Sequence, residues 1–387
     1  MGERHGLQIG IDASRALRAT RTGTERYAYE IIRHILRTAG ADRHDWRLYV
    51  DEPVQTDAFA PADGSLSARV NVEYLAPVRG WTHRALGPTL LDDGPDTLFV
   101  PAHVLPLAMR QRQAPAGVVT IHDLGYRFLP QAHSRRQRWY LELGTRWSAR
   151  QAERVICVSR STAQDLHAEY ETPWRKIEVI YEAAAPPPLL LSPAEIQSVR
   201  REWGFTRPFA LYVGTLQPRK NLLRLIDAFT KLAEAGKMEH DLVLAGNPGW
   251  LSEPILARIR AHSLAGRIHL PGYVSDQQRG ALLQAAAFFC FPSLYEGFGL
   301  PVLEAQQIGV PVMTSNNSSL PEVAGDAALL IDPTDVDAIA AAMLRLSRDE
   351  ALRADLIAAG YENVKRFSWD KAAAETLAVL EAAGRAG

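Results

Sequence analysis

The sequence predicts an α/β protein of two domains, each built on a doubly wound parallel sheet. The chain has 387 residues, which is more than one ordinary domain needs. Short apolar runs alternate with helical stretches, as in parallel sheets that helices cover on both faces. A proline run at residues 186–188 is typical of a stiff linker. We therefore expect a first domain over residues 1–185, a second over 186–366 and a final helical segment over 367–387.

The first half of the chain contains several predicted strands. Each is a short, mostly apolar run that ends in polar, glycine or proline residues. The runs lie at residues 7–12, 47–50, 70–75, 97–100, 118–121 and 154–159, and residues 176–181 precede the linker. After the first run, a polar loop ending at residues 22–25 leads to a helix that carries Tyr27, Ile31, Ile32 and Leu36.

The second half repeats this alternation. Its predicted strands lie at residues 209–213, 242–245, 268–270, 286–291 and 310–314. An amphipathic helix begins after residue 221, and its apolar face consists of Leu222, Leu223, Leu225, Ile226, Phe229 and Leu232. Residues 367–370 open an Ala-rich helix at the end of the chain.

The most informative segment is a glycine-rich turn between the strand at 286–291 and the next helix. Pro301 suits the first position of that helix, so Glu296 lies in the loop and Glu304 about two turns into the helix. Gly297 and Gly299 allow backbone N–H groups to approach a ligand closely. Carboxylates accept sugar hydroxyls and helix-start amides bind phosphate, so the segment suits a nucleotide sugar better than two solvated glutamates.

A second motif follows the strand at 209–213. Gly214 forms a turn, and Arg219 and Lys220 lie just before the amino-terminal end of the amphipathic helix. Two cations at the carboxyl end of a strand can neutralise a leaving diphosphate. The alternative is a solvated Arg-Lys pair without function.

His122 stands at the end of the apolar run 118–121, beside Asp123. A lone histidine is usually a hydrogen-bonded edge residue, but its place at a strand end favours a functional role.

With both motifs in place, the chain resembles the retaining GT-B glycosyltransferases, a group that includes bacterial mannosyltransferases of polysaccharide assembly. The resemblance covers nearly the whole chain and rests on the glutamate pair Glu296 and Glu304 and on the Arg219-Lys220 pair. It implies two Rossmann-like domains that face each other across a cleft, with the final helix crossing back onto the first domain. It also implies that Arg219 and Lys220 bind the donor diphosphate, Glu296 the transferred sugar and Glu304 the ribose.

Further donor-binding positions follow from the same resemblance. They are Gly23, Gly214, Tyr273, Val274, Gly297, Phe298, Gly299, Leu300 and Pro301. The group places a His-Asp pair opposite the donor sugar, so we expect His122 to contact sugar hydroxyls and to shape the acceptor side, not to act as a nucleophile. The chain departs from the group in having one glycine at Thr22-Gly23, and Glu182 in place of an Asn-Gly turn.

Composition narrows the functional classes. The chain has 43 basic and 44 acidic side chains and a formal net charge of −1, which argues against a nucleic-acid partner. Cys157 and Cys290 lie in apolar strands without metal-ligand spacing, so we expect buried thiols in a reducing compartment. No signal peptide or membrane-spanning stretch is visible, and we expect a cytoplasmic protein.

One basic, aromatic segment suggests an interfacial surface on the acceptor side. It contains His133, Arg135, Arg136, Arg138, Trp139, Tyr140, Arg146, Trp147 and Arg150. It would meet anionic lipid head groups or a lipid-diphosphate acceptor, and the peripheral contact would be with the inner face of the cell membrane. The alternative is a helix with a solvated face. We assign Trp81, which we expect in a loop, and Asp123 to the same acceptor side as Arg135, Arg136 and Arg138.

The expected activity is transfer of a hexose, with retention of configuration, from a nucleotide sugar to a glycan or a polyprenyl-diphosphate-linked acceptor. The cations and helix amides make a metal or other cofactor unnecessary. The pattern favours GDP-mannose, with UDP-sugars as the alternative donors. Three other classes stay open: a glycosidase, which needs its two carboxylates across a scissile bond, a nucleotide-sugar epimerase, and a glycan-binding protein without activity.

Overall fold

The computed structural model describes residues 6–18, 23–54, 56–59, 68–102, 104–187, 189–261 and 264–386. The strands within these ranges are β1 (Gln8–Asp12), β2 (Asp45–Val50), β3 (Arg69–Tyr74), β4 (Thr97–Val100), β5 (Ala116–Ile121), β6 (Arg154–Cys157), β7 (Ile177–Val179), β8 (Phe209–Val213), β9 (Asp241–Ala245), β10 (Ile268–Gly272), β11 (Phe288–Phe291), β12 (Val312–Ser315) and β13 (Ala328–Ile331).

The α-helices in the same ranges are α1 (Gly23–Ile35), α2 (Gly87–Asp92), α3 (Gly125–Phe128), α4 (Arg135–Gln151), α5 (Arg160–Tyr170), α6 (Pro193–Glu202), α7 (Leu222–Glu234), α8 (Glu253–Ala261), α9 (Asp276–Ala285), α10 (Leu300–Ile308), α11 (Leu320–Ala324), α12 (Val336–Arg348), α13 (Glu350–Val364) and α14 (Trp369–Ala386). A short π-helix, Thr82–Leu86, precedes α2, and a 3-10 turn, Pro218–Lys220, precedes α7.

The chain forms two compact units. The first comprises Met1–Arg127, Arg135–Glu182 and Ser368–Gly387, and the second comprises Phe128–Ser134 and Ala183–Phe367. The chain therefore passes into the second unit after Glu182, whereas the sequence prediction places the boundary after residue 185. Pro188 and Thr22, named in the sequence analysis, lie outside the described residues.

Each unit contains one parallel sheet. The first sheet has the order β3-β2-β1-β4-β5-β6-β7 and the second the order β10-β9-β8-β11-β12-β13. In both sheets the order reverses once, between β1 and β4 and between β8 and β11, and every strand pair is parallel. This is the doubly wound arrangement, so the predicted fold class is confirmed.

Apolar strands build the core of each unit. In the second unit, β11 buries Phe288, Phe289 and Phe291 completely against β8, β12 and the helices. Full burial of an aromatic side chain of this size contributes about 2–3 kcal/mol. Cys157 and Cys290 are also fully buried, and burial raises the pKa of both thiols.

The final helix α14 packs within the first unit. It contacts α1, β4 and β5. His34 Nδ1 lies 2.7 Å from a carboxylate oxygen of Asp370, and the rings of Tyr27 and Trp369 are 5.9 Å apart. The start of α14 is thereby attached to α1 by an ion-pair geometry and an aromatic contact.

Three features of the fold differ from the sequence prediction. Strand β13 was not predicted, because it is a four-residue edge strand with only its two end residues buried. Helix α1 begins at Gly23, two residues before the predicted loop ends. Trp81 is helical and 8% exposed, not a loop residue.

None of the helices in the described ranges is both long enough and apolar enough to cross a membrane.

Candidate functional site

The predicted donor residues meet where the second sheet reverses its strand order. Arg219 and Lys220 follow β8, and Glu296 follows β11, which is the neighbouring strand. Parallel strands end at the same edge of a sheet, and the point of reversal leaves a crevice there because the connecting helices lie on opposite faces. The topology thus brings two segments about 76 residues apart in sequence to one place.

The segment after β8 is a tight turn that aims two cations at this edge. Gly214 has φ 148°, and a Cβ there would lie 2.7 Å from the Tyr212 hydroxyl. Asn221 directly follows the 3-10 turn, has φ 61° and is 3% exposed. The Asn221 amide donates to the carbonyls of Pro292 (3.0 Å) and Pro333 (2.6 Å), so this side chain ties the turn to the segment after β11.

Arg219, Glu296 and Lys220 form a buried cluster of three charges. Arg219 Nη1 donates to Glu296 Oε2 at 2.7 Å, and Lys220 Nζ donates to Glu296 Oε1 at 2.6 Å. Arg219 also donates to the Tyr295 carbonyl at 2.8 Å, and Lys220 Nζ lies 4.8 Å from the centroid of the Phe291 ring. The side chains are 16%, 9% and 11% exposed, respectively. The three side chains carry a net charge of +1.

The pKa of Glu296 reflects this setting. Burial alone would raise it, but the charges of Arg219 and Lys220 and the hydrogen bonds to the carboxylate outweigh burial and lower the pKa to about 2. Glu296 is therefore ionised throughout the physiological pH range. Its carboxylate serves as counter-ion to the two cations, which adds to the sugar-binding role expected from the sequence.

The loop after β11 presents backbone groups at the start of α10. Gly297 and Phe298 are buried, and Gly299 occupies the cap position before Leu300 with φ 115°. A Cβ on Gly299 would lie 2.8 Å from a methyl group of Leu320, so glycine is required there both by conformation and by space. Helix α10 begins at Leu300, so Pro301 is its second residue and not its first, and it still lies in the first turn, where proline is tolerated.

A polar segment after β12, which the sequence analysis did not use, supports this loop. The Ser318 hydroxyl accepts from the Glu296 N–H at 3.0 Å, and the Ser319 hydroxyl lies 2.9 and 2.7 Å from the carbonyl oxygens of Glu296 and Phe298. The Asn317 amide donates to the Leu294 carbonyl at 2.9 Å. A signal for it exists in the sequence: a strand, then a run of Ser and Asn, then Leu-Pro, which parallels the Leu300-Pro301 helix start.

Glu304 and the residues after β10 complete the predicted donor set. Glu304 Oε1 lies 3.4 Å from Arg279 Nη2 of α9, and its side chain is 12% exposed. Arg279 was not predicted. Tyr273 and Val274 follow directly after β10, and Tyr273 is 60% exposed.

In the first unit, His122 follows β5 and uses both ring nitrogens. Nδ1 lies 3.2 Å from Glu182 Oε1, and Nε2 lies 2.9 Å from the Pro101 carbonyl oxygen. A ring nitrogen would have to leave one of these partners before it could contact a sugar hydroxyl. Glu182, which stands in place of the Asn-Gly turn, is 4% exposed.

The other predicted residues of the first unit lie in different settings. Gly23 is exposed at the start of α1. Asp123 accepts from the Gly125 N–H at 2.9 Å at the start of α3. Trp81 is a correction: it packs in the core of the first unit, and its indole N–H donates to the Leu75 carbonyl at 3.1 Å. Burial explains why this aromatic side chain cannot serve as an exposed acceptor contact.

Asp12, at the end of β1, is a buried titratable group that the sequence analysis did not single out. Burial raises its pKa to about 6, against hydrogen bonds from the N–H and hydroxyl of Ser14 at 3.1 and 2.6 Å. Its position at the reversal point of the first sheet could have been inferred from the strand order alone.

The basic segment forms the exposed first half of α4. Arg135, Arg136 and Arg138, here called the α4 arginines, are exposed, and so are Trp139 (70%) and Tyr140 (55%). The buried residues of α4 all lie in its second half, from Gly144 onward. The first turn contains no acidic residue.

Comparison with known proteins decides the family. The family model "Glycosyl transferases group 1" matches residues 195–363, and "Glycosyltransferase Family 4" matches residues 21–184. O-antigen chain mannosyltransferase B of Escherichia coli is 36% identical over 261 residues, which is 67% of this chain and 68% of that protein. The chain belongs to the GT-B glycosyltransferases.

Two further proteins illustrate the breadth of this glycosyltransferase's relatives. The MMP alpha-(1->4)-mannosyltransferase of Mycolicibacterium hassiacum is 31% identical over 253 residues, 64% of this chain and 58% of that protein. The crystal structure of HepE of Anabaena in complex with UDP-glucose has a TM-score of 0.72 at 17% identity, covering 97% of this chain and 100% of that one. The structural likeness shows a shared fold. The glycosyltransferase is an enzyme of the hexosyltransferase class.

Proposed function

We propose that this glycosyltransferase transfers mannose from GDP-mannose, with retention of configuration, to a glycan or lipid-linked glycan during polysaccharide or glycoconjugate synthesis. The observation that carries the proposal is the buried Arg219–Glu296–Lys220 cluster at the reversal point of the second sheet. Its net positive charge complements a diphosphate, whereas a glycosidase has no need of two cations beside its acid.

In the proposed reaction the diphosphate leaves toward Arg219 and Lys220. These side chains are already ordered by Glu296, so little reorganisation is needed as negative charge develops on the leaving oxygen. The N–H groups at the start of α10 point along the helix axis and add a favourable dipole for phosphate. Charge neutralisation by these groups replaces a metal ion in this proposal. Front-face displacement through an oxocarbenium-like state gives the retained configuration.

The proposed donor contacts beyond the diphosphate use the two glutamates. Glu296 is ionised, so it accepts hydroxyl hydrogen bonds from the transferred sugar while it stays paired to the cations. Glu304 accepts from the ribose hydroxyls, with Arg279 keeping its carboxylate in place at 3.4 Å. Mannose is supported by the activities of the relatives at 36% and 31% identity, which are named as mannosyltransferases.

The proposed acceptor is presented at an anionic membrane surface on the cytoplasmic side. The α4 arginines, together with exposed Trp139 and Tyr140, combine positive charge with amphipathic rings, which is the composition that binds anionic head groups. A helix start without acidic residues, carrying three cations, gains stability when anions approach it.

The deciding experiment offers the purified protein GDP-mannose, GDP-glucose, UDP-glucose and ADP-glucose with a polyprenyl-diphosphate-linked glycan. We expect a glycosylated product from GDP-mannose with the axial anomeric configuration of the donor, assigned by NMR. Product from a UDP-sugar would replace the donor assignment, and an inverted anomer would refute retention. Conversion of one nucleotide sugar into another, without transfer, would indicate an epimerase. Hydrolysis of glycans in the absence of a nucleotide sugar would indicate a glycosidase.

Arg219→Ala and Lys220→Ala provide the negative controls for this screen. Neither side chain belongs to the apolar core, so loss of transfer with retained circular dichroism assigns the activity to the cluster. Transfer at wild-type rate in both variants would remove the observation on which the proposal rests.

A further inference from the structure

His122 is held between two groups that only accept hydrogen bonds. Its Nδ1 faces the Glu182 carboxylate at 3.2 Å and its Nε2 faces the Pro101 carbonyl oxygen at 2.9 Å. A neutral imidazole has one N–H and one bare nitrogen, so it would leave one of these contacts without a proton. Both contacts are hydrogen bonds only if Nε2 carries a hydrogen and a second proton lies between Nδ1 and Glu182 Oε1.

The shared proton resides on the ring and not on the acid, because a carboxyl group is the stronger acid of the two. We infer that Glu182 keeps His122 as an imidazolium in the working enzyme, and that Glu182 is a positioning residue for glycosyl transfer. The role of this charge in glycosyl transfer rests on the proposed function. The charge itself follows from the hydrogen-bond geometry.

The groups that face the ring agree with a charged imidazole. The Tyr27 ring meets it edge-on at 4.7 Å, while the Tyr27 hydroxyl is engaged with Thr120 at 3.2 Å. The Thr162 hydroxyl of α5 donates to the main-chain carbonyl of His122 at 3.4 Å, which is not a contact with the ring, and Asp123 adds a second negative charge next in sequence. Among these groups the charged ones are the two carboxylates, of Glu182 and Asp123.

The pKa of His122 moves in the same direction. Burial by itself lowers it, since a charged ring loses solvation, but the hydrogen bond and charge of Glu182, with smaller contributions from Pro101 and Asp123, raise it above its usual value. The imidazolium is therefore present below the pKa of the free side chain, near 6.5, and is lost only as pH rises through the raised value.

A second histidine–glutamate pair in the first unit shows what a different environment does. His44 Nε2 lies 2.9 Å from Glu381 Oε1, but its Nδ1 accepts a hydrogen bond from the Leu7 N–H at 3.1 Å. One ring nitrogen of His44 is thus an acceptor, and all its contacts are satisfied by a neutral ring. This pair lies at the amino end of the strands, at β2, and provides a matched control.

The position of His122 gives the charge a use. It follows β5 at the carboxyl edge of the first sheet, where α/β proteins bind ligands. With both nitrogens engaged, His122 would act on a ligand bound at this edge through a fixed positive charge and not by proton transfer. Glu182 does not contact the substrate; it acts by holding His122 in place and keeping its ring charged.

The test compares Glu182→Gln with Glu381→Gln. Glutamine is isosteric with glutamate, and its amide can donate to a neutral Nδ1 while Nε2–H still donates to Pro101, so the fold is retained. The ¹⁵N chemical shifts of His122 should show two protonated nitrogens at pH 7 in the wild type and in Glu381→Gln, and one protonated nitrogen in Glu182→Gln. A bare ring nitrogen in the wild type at pH 7 would overturn the inference.

The kinetic arm measures kcat/KM for transfer from pH 5 to 9. In Glu182→Gln, kcat/KM should begin to fall at a lower pH than in the wild type, because His122 loses its proton earlier. Between the two pKa values of His122, the ratio of wild-type to variant kcat/KM should grow by about tenfold per pH unit, and above both it should be constant. Glu182→Asp, which restores the charge, should recover part of the shift. A ratio that stays constant with pH would indicate a purely structural role and overturn the positioning assignment. A wild type without transfer activity would contradict the proposed function, and the NMR arm would still decide the charge on His122.

Discussion

Replacing Glu296 with glutamine should destabilise the second unit and strengthen its affinity for diphosphate. The change removes the carboxylate that bridges Arg219 and Lys220 at 2.7 and 2.6 Å, while the two cations are only 16% and 11% exposed. The net charge of the three side chains rises from +1 to +2. Two like charges then share a buried site without the bridging anion.

The structure sets the size of the effect. A pKa of about 2, against 4.5 for the free group, corresponds to about 3 kcal/mol of stabilisation at neutral pH. Breaking a buried ion pair by removing one partner costs roughly 3–5 kcal/mol, which agrees. For a unit of this size we expect the midpoint of thermal unfolding to fall by on the order of 10 °C.

The sign of the pH dependence follows from the lowered pKa. The stabilisation by Glu296 is complete above the pKa of the unfolded group, near 4.5, and is lost as pH falls toward 2. The difference in unfolding midpoint between wild type and Glu296→Gln should therefore be constant from pH 6 to 8 and shrink below pH 4.5.

The assay is differential scanning fluorimetry with and without GDP. Since GDP brings negative charge to the cations, it should raise the midpoint of Glu296→Gln by more than that of the wild type. For the melt without GDP, Glu304→Gln is the control, because Glu304 has a comparable exposure of 12% but a longer, 3.4 Å contact with Arg279. An unchanged midpoint in Glu296→Gln, or weaker stabilisation by GDP than in the wild type, would refute the reasoning.

Three further predictions concern rate, donor affinity and the membrane. Arg219→Ala or Lys220→Ala should lower the transfer rate on the order of a hundredfold or more, and this effect should be much larger than the effect on stability. Single-turnover kinetics measures the rate, and a melting curve measures the stability. Glu304→Gln should weaken binding of GDP about tenfold or more, since a charge-assisted hydrogen bond contributes roughly 1.5–3 kcal/mol; equal affinity by calorimetry would exclude the ribose role. Replacing the three α4 arginines with serine should remove about 1 kcal/mol each of attraction to anionic vesicles, so sedimentation at low salt should drop, whereas wild-type binding that ignores lipid charge and salt would leave α4 an ordinary solvated helix.

Local sequence determined most of the secondary structure and the two donor-site loops. The strand at β11 is apolar and aromatic, Pro301 fits only the first turn of a helix, and Gly299 adopts a φ that other residues avoid, so these features follow from a few neighbouring residues. The amphipathic pattern of α7 likewise placed Arg219 and Lys220 at its start. Strand β13 was not predicted, because a short edge strand shows little hydrophobic periodicity.

The tertiary structure decided which side chains meet. The order of the second sheet places β8 beside β11, and only this adjacency brings Lys220 within 2.6 Å of Glu296, 76 positions away. The contact of His122 with Glu182 spans 60 positions and depends in the same way on the packing of the first unit. Charge and pKa at these residues are properties of distance and burial, and neither is encoded by a residue's near neighbours in the chain. The sequence by itself therefore indicated the candidate groups, while the fold determined how they are paired.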